Sequence, residues 1–182
     1  MEKVCPHYHL SLQSGCDETL KRMNRKYTTD QFENTTKLLR KAFPNVNLTT
    51  DIIVGFPGET EEEFQKTYEF LKNIKFYKMH VFKYSPRKGT VASKMTNQID
   101  GNIKEERSQK LINLSDTNEI EYNKNYIGKK VNVLIEEKEG EYWKGHTENY
   151  MMIKIKSEEE NLENTIKQVE ITDLNETELI AF

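Results

Sequence analysis

The sequence predicts an α/β chain in two parts: a parallel βαβαβ layer over residues 1–125 and a small closed all-β barrel over residues 126–182. Three observations carry this. Strand-length apolar runs and helix-period stripes follow in the order strand, helix, strand, helix, strand as far as Tyr84. At the centre, residues 49–63 read Thr-Thr-Asp-Ile-Ile-Val-Gly-Phe-Pro-Gly-Glu-Thr-Glu-Glu-Glu: a β-branched run, a glycine turn and a capped helix start. Past Ile127-Gly128 the period changes to two, and about five short segments alternate between turns.

In chain order, residues 7–13 read as a strand with His7, His9, Ser11 and Gln13 on one face and Tyr8, Leu10 and Leu12 on the other. The apolar face suits helices. The polar face suits the lumen of a parallel barrel, because a dry core would leave its groups unpaired. Residues 20–25 read as a short basic turn of helix or loop. Thr28 with Gln31 forms a capping box, and Phe32, Thr35, Leu39 and Phe43 follow at helical spacing until Pro44. The central strand covers 48–54. Gly55 and Gly58 permit the turn after it, and Pro57 stiffens it. Thr60 with Glu63 caps the next helix, striped by Phe64, Tyr68 and Leu71. A third strand covers 79–84, and a long helix covers 103–122 with Ile103, Arg107, Leu111 and Leu114 inward and Arg107 snorkelling. The barrel strands fall at 131–135, 142–146, 150–155, 165–171 and 178–182, with Glu158-Glu159-Glu160 a solvated loop.

A formal net charge of −3 over 182 residues provides no general attraction for nucleic acid, so such a partner needs a local basic patch. Two cysteines, Cys5 and Cys16, are no disulfide framework and suit a reducing, cytoplasmic compartment. No apolar run has the length of a membrane span, and residues 1–6 lack the apolar core of a signal peptide. The near-immediate opening into a strand suggests a start inside a domain. Cys5, His7 and His9 lie about 7 Å apart along a strand and cannot easily converge on one tetrahedral ion, so lining a polar lumen is the better reading. Lys21, Arg22, Arg25 and Lys26 follow the first strand, and Arg87 and Lys88 follow the third. In a parallel barrel both clusters share the face of the Gly55 loop, which favours an anionic substrate.

Four segments then occur in order: 9–17 (His-Leu-Ser-Leu-Gln-Ser-Gly-Cys-Asp), 20–28 (Leu-Lys-Arg-Met-Asn-Arg-Lys-Tyr-Thr), 50–60 (Thr-Asp-Ile-Ile-Val-Gly-Phe-Pro-Gly-Glu-Thr) and 84–90 (Tyr-Ser-Pro-Arg-Lys-Gly-Thr) with Ala92. Together they resemble the second half of the radical S-adenosylmethionine methylthiotransferases. The barrel after Tyr126 resembles their terminal TRAM domain, an OB-like RNA-binding module. The resemblance implies the C-terminal half of a radical SAM (β/α) barrel. His80-Val81-Phe82 and the Ser11-Leu12-Gln13-Ser14-Gly15-Cys16-Asp17 stretch resemble most the branch that 2-methylthiolates N6-threonylcarbamoyladenosine in tRNA. The alternatives are the isopentenyladenosine branch, a stand-alone RNA-binding module or another nucleotide-binding α/β class.

The resemblance implies roles for individual residues. The centre resembles the superfamily motif Gly-x-Ile-x-Gly-x-x-Gly-Glu: Asp51 replaces the first glycine, while Ile53, Gly55, Gly58 and Glu59 match. Ile53 would pack on the adenine of S-adenosylmethionine, and Gly55 would let the backbone approach it. Gln13 and Ser14 would bond its ribose or methionine part, Arg25 its carboxylate, and Phe82 and Tyr84 would border the adenine. From their charge and position rather than the resemblance, Lys21, Arg22, Arg87 and Lys88 are candidates to face tRNA, as are Lys129, Lys130, Lys144, Tyr150 and Trp143 of the barrel, with barrel core the better reading for Trp143. The family holds one 4Fe-4S cluster on Cys-x-x-x-Cys-x-x-Cys and a second on three more cysteines. Cys5 and Cys16 match neither in number or spacing. The expectation is a piece that is inert alone, holds no cluster ligands, and risks self-association through the open edges of a half barrel.

Overall fold

The computed structural model describes residues 4–182, so the first three residues of the stretch 1–6 weighed above as a signal peptide lie outside the described residues. The elements run β1 (His7–His9), α1 (Asp17–Arg22), α2 (Thr29–Ala42), β2 (Asn47–Val54), α3 (Glu61–Ile74), β3 (Lys78–Lys83), a 3-10 turn at Ala92–Lys94, and α4 (Gly101–Lys124). The barrel strands follow: β4 (Lys130–Glu139), β5 (Tyr142–Thr147), β6 (Met152–Lys156), β7 (Ile166–Asn175) and β8 (Glu178–Ala181). Contacts divide the chain within α4. One unit comprises His9–Pro44 with Leu48–Asn118. The other comprises the described residues up to Tyr8, Asn45–Asn47 and Glu119–Phe182.

The three-stranded sheet has the order β1-β2-β3, and β2 pairs with β3 in parallel. Both capping boxes form. Thr28 Oγ1 accepts from the Gln31 amide, and Gln31 Oε1 accepts from the Thr28 amide. Thr60 and Glu63 do the same for α3. Each box satisfies amides that open a helix and would otherwise lack partners. Leu12, Leu20, Leu48, Ile52, Phe64, Leu71, Phe76 and Leu111 form the core of the first unit.

Several expectations are corrected. The strand expected over 7–13 stops at His9 because Thr50 intrudes in its ladder. Thr50 Oγ1 donates to the Leu10 carbonyl (2.6 Å) and accepts from the Leu12 amide (3.2 Å), where a regular strand would use backbone. Gln13 rejoins β2 by a single parallel bridge to Ile52, with φ at +73°. Of the two readings of 20–25 the helix holds, but it starts earlier, at Asp17, and ends at Arg22, with acidic residues in its first turn and basic ones in its last, as the helix dipole favours. In α2 the buried threonine is Thr36, while Thr35 is exposed. In α4, Ile103 is exposed and Arg107 is buried in ion pairs rather than snorkelling.

In the second unit five strands close into a barrel in the order β4-β5-β6-β8-β7. Val133, Ile135, Trp143, Ile153, Ile171 and Leu179 fill it from alternate strand positions. Trp143 is buried there and donates its indole N–H to the Glu159 carbonyl (3.1 Å). The last turn of α4 belongs with this unit. Asn123 Nδ2 donates to the Thr177 carbonyl (2.9 Å), and Asn149 Nδ2 donates to the hydroxyls of Tyr122 and Tyr126.

Candidate functional site

The register of the first unit's sheet assembles a site. Ile53 pairs with Phe82, and Asp51 with His80. On the other side of β2 the Gln13 amide donates to the Asp51 carbonyl (2.8 Å), and the Ile53 amide donates to the Gln13 carbonyl (2.9 Å). Ile53 therefore lies between Gln13 and Phe82. These residues, with Asp51, Tyr84 and Arg87, line a cavity of about 580 Å³. Phe82 is 53 % exposed, an apolar ring left open to a ligand. Tyr84 is anchored by its amide on the Val54 carbonyl (2.9 Å) and by its ring edge on Phe56. Its hydroxyl is buried with no hydrogen-bond partner among the described residues.

Asp51 carries the polar side of this cavity, and the sequence singled it out only as a departure from a motif. Its Oδ2 accepts from the Ser11 hydroxyl and lies 3.1 Å from His9 Nε2, while His9 Nδ1 lies 3.0 Å from the Thr49 hydroxyl. With Nε2 donating to Asp51 and Nδ1 accepting from the Thr49 hydroxyl, all three bonds are satisfied at once. The other oxygen of Asp51 has no partner among the described residues. The visible signal was the strand parity that puts Thr49, Asp51 and Ile53 on one face.

Behind the cavity the glycine loop is held from α4. Gly55 and Gly58 take φ of +70° and +79°, where a side chain is strained. The Gly55 amide donates to Glu59 Oε1 (3.0 Å). Arg107 Nη1 donates to the same oxygen (2.7 Å), and Nη2 donates to Glu61 (2.9 Å). Burial pushes the Glu59 carboxyl above its ordinary range, against the opposing pull of the Gly55 amide and Arg107. Lys104 Nζ donates to the Tyr84 carbonyl (3.2 Å). Sequence reasoning missed Lys104 and misplaced Arg107, since a helix stripe does not reveal a charged partner 48 residues away.

The other candidates separate. Ser14 is buried against the Thr67 hydroxyl (3.2 Å) and accepts from the Cys16 amide, so it holds the turn to α3. Gly58 and Glu59 shape the loop. Arg25 and Lys21 are exposed outside the cavity lining. Arg22 is committed to Glu63 through both terminal nitrogens. Arg87 lines the cavity and Lys88 is exposed next to it in sequence. In the second unit Lys129 lies over the Tyr126 ring (5.2 Å), Lys144 pairs with Glu139, and Lys130 is exposed at the start of β4. Tyr150, 57 % exposed, stacks with the rings of His7 and His146. Among the described residues no group of three or more His, Cys, Asp and Glu side chains converges to hold a metal ion. Cys5 is exposed. Cys16 is buried, and burial together with its bond to Glu18 pushes its thiol up. No helix among the described residues is long and apolar enough to cross a membrane.

The radical SAM superfamily profile matches residues 1–71. A threonylcarbamoyladenosine tRNA methylthiotransferase of Bacillus subtilis is 43 % identical over 171 residues, 91 % of this chain and 38 % of its own length. A probable threonylcarbamoyladenosine tRNA methylthiotransferase of Methanocaldococcus jannaschii is 48 % identical over 174 residues, 94 % of this chain and 38 % of its own. A tRNA-2-methylthio-N(6)-dimethylallyladenosine synthase of Alkaliphilus oremlandii is 47 % identical over 135 residues, 74 % of this chain and 29 % of its own. The chain thus spans less than two fifths of the length of these relatives.

Proposed function

We propose that this chain belongs to the radical S-adenosylmethionine methylthiotransferase family, on its similarity to those relatives over most of its length, and that its first unit supplies the adenosine-side wall of the S-adenosylmethionine site. The enzyme we infer 2-methylthiolates N6-threonylcarbamoyladenosine in tRNA. The observation that carries the reading is the Gln13–Ile53–Phe82 row across three neighbouring chain segments, opening on one cavity with Asp51 and Tyr84. This donor set fits a nucleoside. Ile53 and the open ring of Phe82 offer apolar surface to a flat base, and Gln13 and Asp51 offer polar atoms to a sugar or amine. When bound, the cofactor supplies the adenosyl radical chemistry. The residues here bind and orient it and exclude water from its base. In this reading the sheet is part of a (β/α) barrel, and Arg87 and Lys88 face the RNA backbone near the cavity.

The iron–sulfur clusters do not fit these residues. Cys5 is exposed, Cys16 is buried beside a carboxylate, and a third thiol is missing from the sequence. In this reading the chain by itself does not cleave S-adenosylmethionine. Reconstitution with iron and sulfide followed by an assay for S-adenosylmethionine cleavage checks this: cleavage by the chain alone refutes it. The nucleoside assignment is tested with S-adenosylhomocysteine by equilibrium dialysis. Phe82→Ala is expected to weaken binding about tenfold, the loss of a stacking surface worth about 1.4 kcal/mol. Equal affinity of parent and variant refutes the placement of the base.

The barrel is read as a TRAM module. The threonylcarbamoyl branch is favoured over the dimethylallyl branch by the residues 11–17 and 80–82 quoted above, since relatives of both kinds have comparable identity.

A further inference from the structure

The cofactor loop is shaped from behind by a charge that the cofactor cannot reach. Gly55 and Glu59 bracket the turn. Glu59 sits inside it with both its carboxylate and its backbone engaged: Oε1 accepts from the Gly55 amide (3.0 Å) and from Arg107 Nη1 (2.7 Å), and its carbonyl accepts from the same Nη1 (3.2 Å). The side chains of Arg107 and Glu59 are 5 % and 4 % exposed. Arg107 also lies over the Phe64 ring and donates to Glu61 in the first turn of α3. One turn earlier on α4, Lys104 holds the Tyr84 carbonyl, so the same helix face grips both strand ends that border the cavity.

We propose that Arg107 is a positioning residue for the nucleoside cofactor: through Glu59 it fixes the Gly55 amide, and with it the backbone that carries Ile53 to the cavity. This rests on the cofactor reading above. A buried ion pair contributes little net stability, and an apolar pair of similar volume commonly replaces it at no loss. Stability alone does not account for the pair here. Its geometric effect is to give a loop amide an acceptor that an apolar pair cannot supply.

The test separates the two roles. Arg107→Met together with Glu59→Met removes both charges at similar volume. Its Tm is expected within a few degrees of the parent, while S-adenosylhomocysteine affinity falls about tenfold and the Gly55 amide exchanges with solvent rapidly. Glu59→Gln keeps an acceptor for that amide, so it is expected to lower Tm while holding affinity within about threefold and leaving Gly55 protected. Recovery of affinity along with Tm in the double variant overturns the proposal. So does a tenfold loss of affinity in Glu59→Gln. If the double variant does not fold, Glu59→Gln decides by the same criterion. If the parent binds no S-adenosylhomocysteine, the cofactor reading fails, and Gly55 exchange in parent and Glu59→Gln still reports whether the clamp holds the loop. An unprotected Gly55 in the parent overturns the clamp itself.

Discussion

Two glycines of one loop have the same backbone hand and different surroundings, and this gives a test at single-residue resolution. A Cβ on Gly55 meets Lys104 Cγ at 2.3 Å, whereas a Cβ on Gly58 finds Arg22 Nε at 3.5 Å, an ordinary contact. Both substitutions bear the left-handed backbone cost of about 1 kcal/mol. Only Gly55→Ala must also displace a side chain that holds the Tyr84 carbonyl. We expect Gly58→Ala to cost about 1 kcal/mol and Gly55→Ala at least about 2 kcal/mol, measured as shifts in urea midpoint. Equal costs would mean that Lys104 yields freely. The need for glycine at both positions was legible in the sequence, because turn geometry is local. The Lys104 contact was not, because nothing in the spacing of α4 says which loop its face meets. Thr50 teaches the same lesson: as a β-branched residue it reads as a good strand former, and its hydroxyl is what ends β1.

At the level of elements, capping decided what could be read. Thr28 with Gln31 and Thr60 with Glu63 marked both helix starts correctly, because each box spans one turn. The same Glu63 has a second role that no local rule shows. Its carboxylate accepts from Arg22 of α1 while it caps α3. The Arg22 hydrogen bonds hold the Glu63 carboxyl below its ordinary value near 4.5. A depressed folded pKa stabilises the protein above the unfolded value and loses that contribution as pH falls through the folded one. Arg22→Met is therefore expected to cost about 2 kcal/mol near pH 7, the loss of a charged, largely buried pair. The gap between variant and parent should narrow once the pH drops below about 4.5 and Glu63 protonates in both. Denaturation curves at both pH values check this, and a gap that widens on acidification would refute the assignment. By sequence alone residues 21–26 form one basic cluster. The fold divides it, because a helix of six residues turns Arg22 inward and leaves Lys21 out.

Across the whole molecule, charge decides which residues can meet an anionic polymer. The chain is net −3, and over residues 126–182 acidic residues outnumber lysines almost two to one. The barrel lysines are mostly paired: Lys144 with Glu139, Lys154 with Glu178, Lys156 with Glu141 and Lys167 with Glu159. Lys129, Lys130 and Lys138 lack such a partner among the described residues, and of these Lys129 and Lys138 lie over the Tyr126 and Trp143 rings. A paired lysine releases fewer counterions on meeting a phosphate, because a carboxylate already neutralises it. Arg87 and Lys88 are exposed, with no carboxylate partner among the described residues, and Arg87 reaches the cavity itself. Composition foretold that a local patch was needed, but not which patch survives pairing, since cross-strand neighbours set that. In the proposed tRNA complex the Arg87–Lys88 loop should then carry the electrostatic contact. Arg87→Ser with Lys88→Ser should weaken tRNA binding and reduce the slope of log K against log salt by about two. Lys144→Ser should leave both close to the parent. An equal loss from Lys144→Ser would show that Glu139 gives up its partner on binding, and would return the main RNA contact to the barrel.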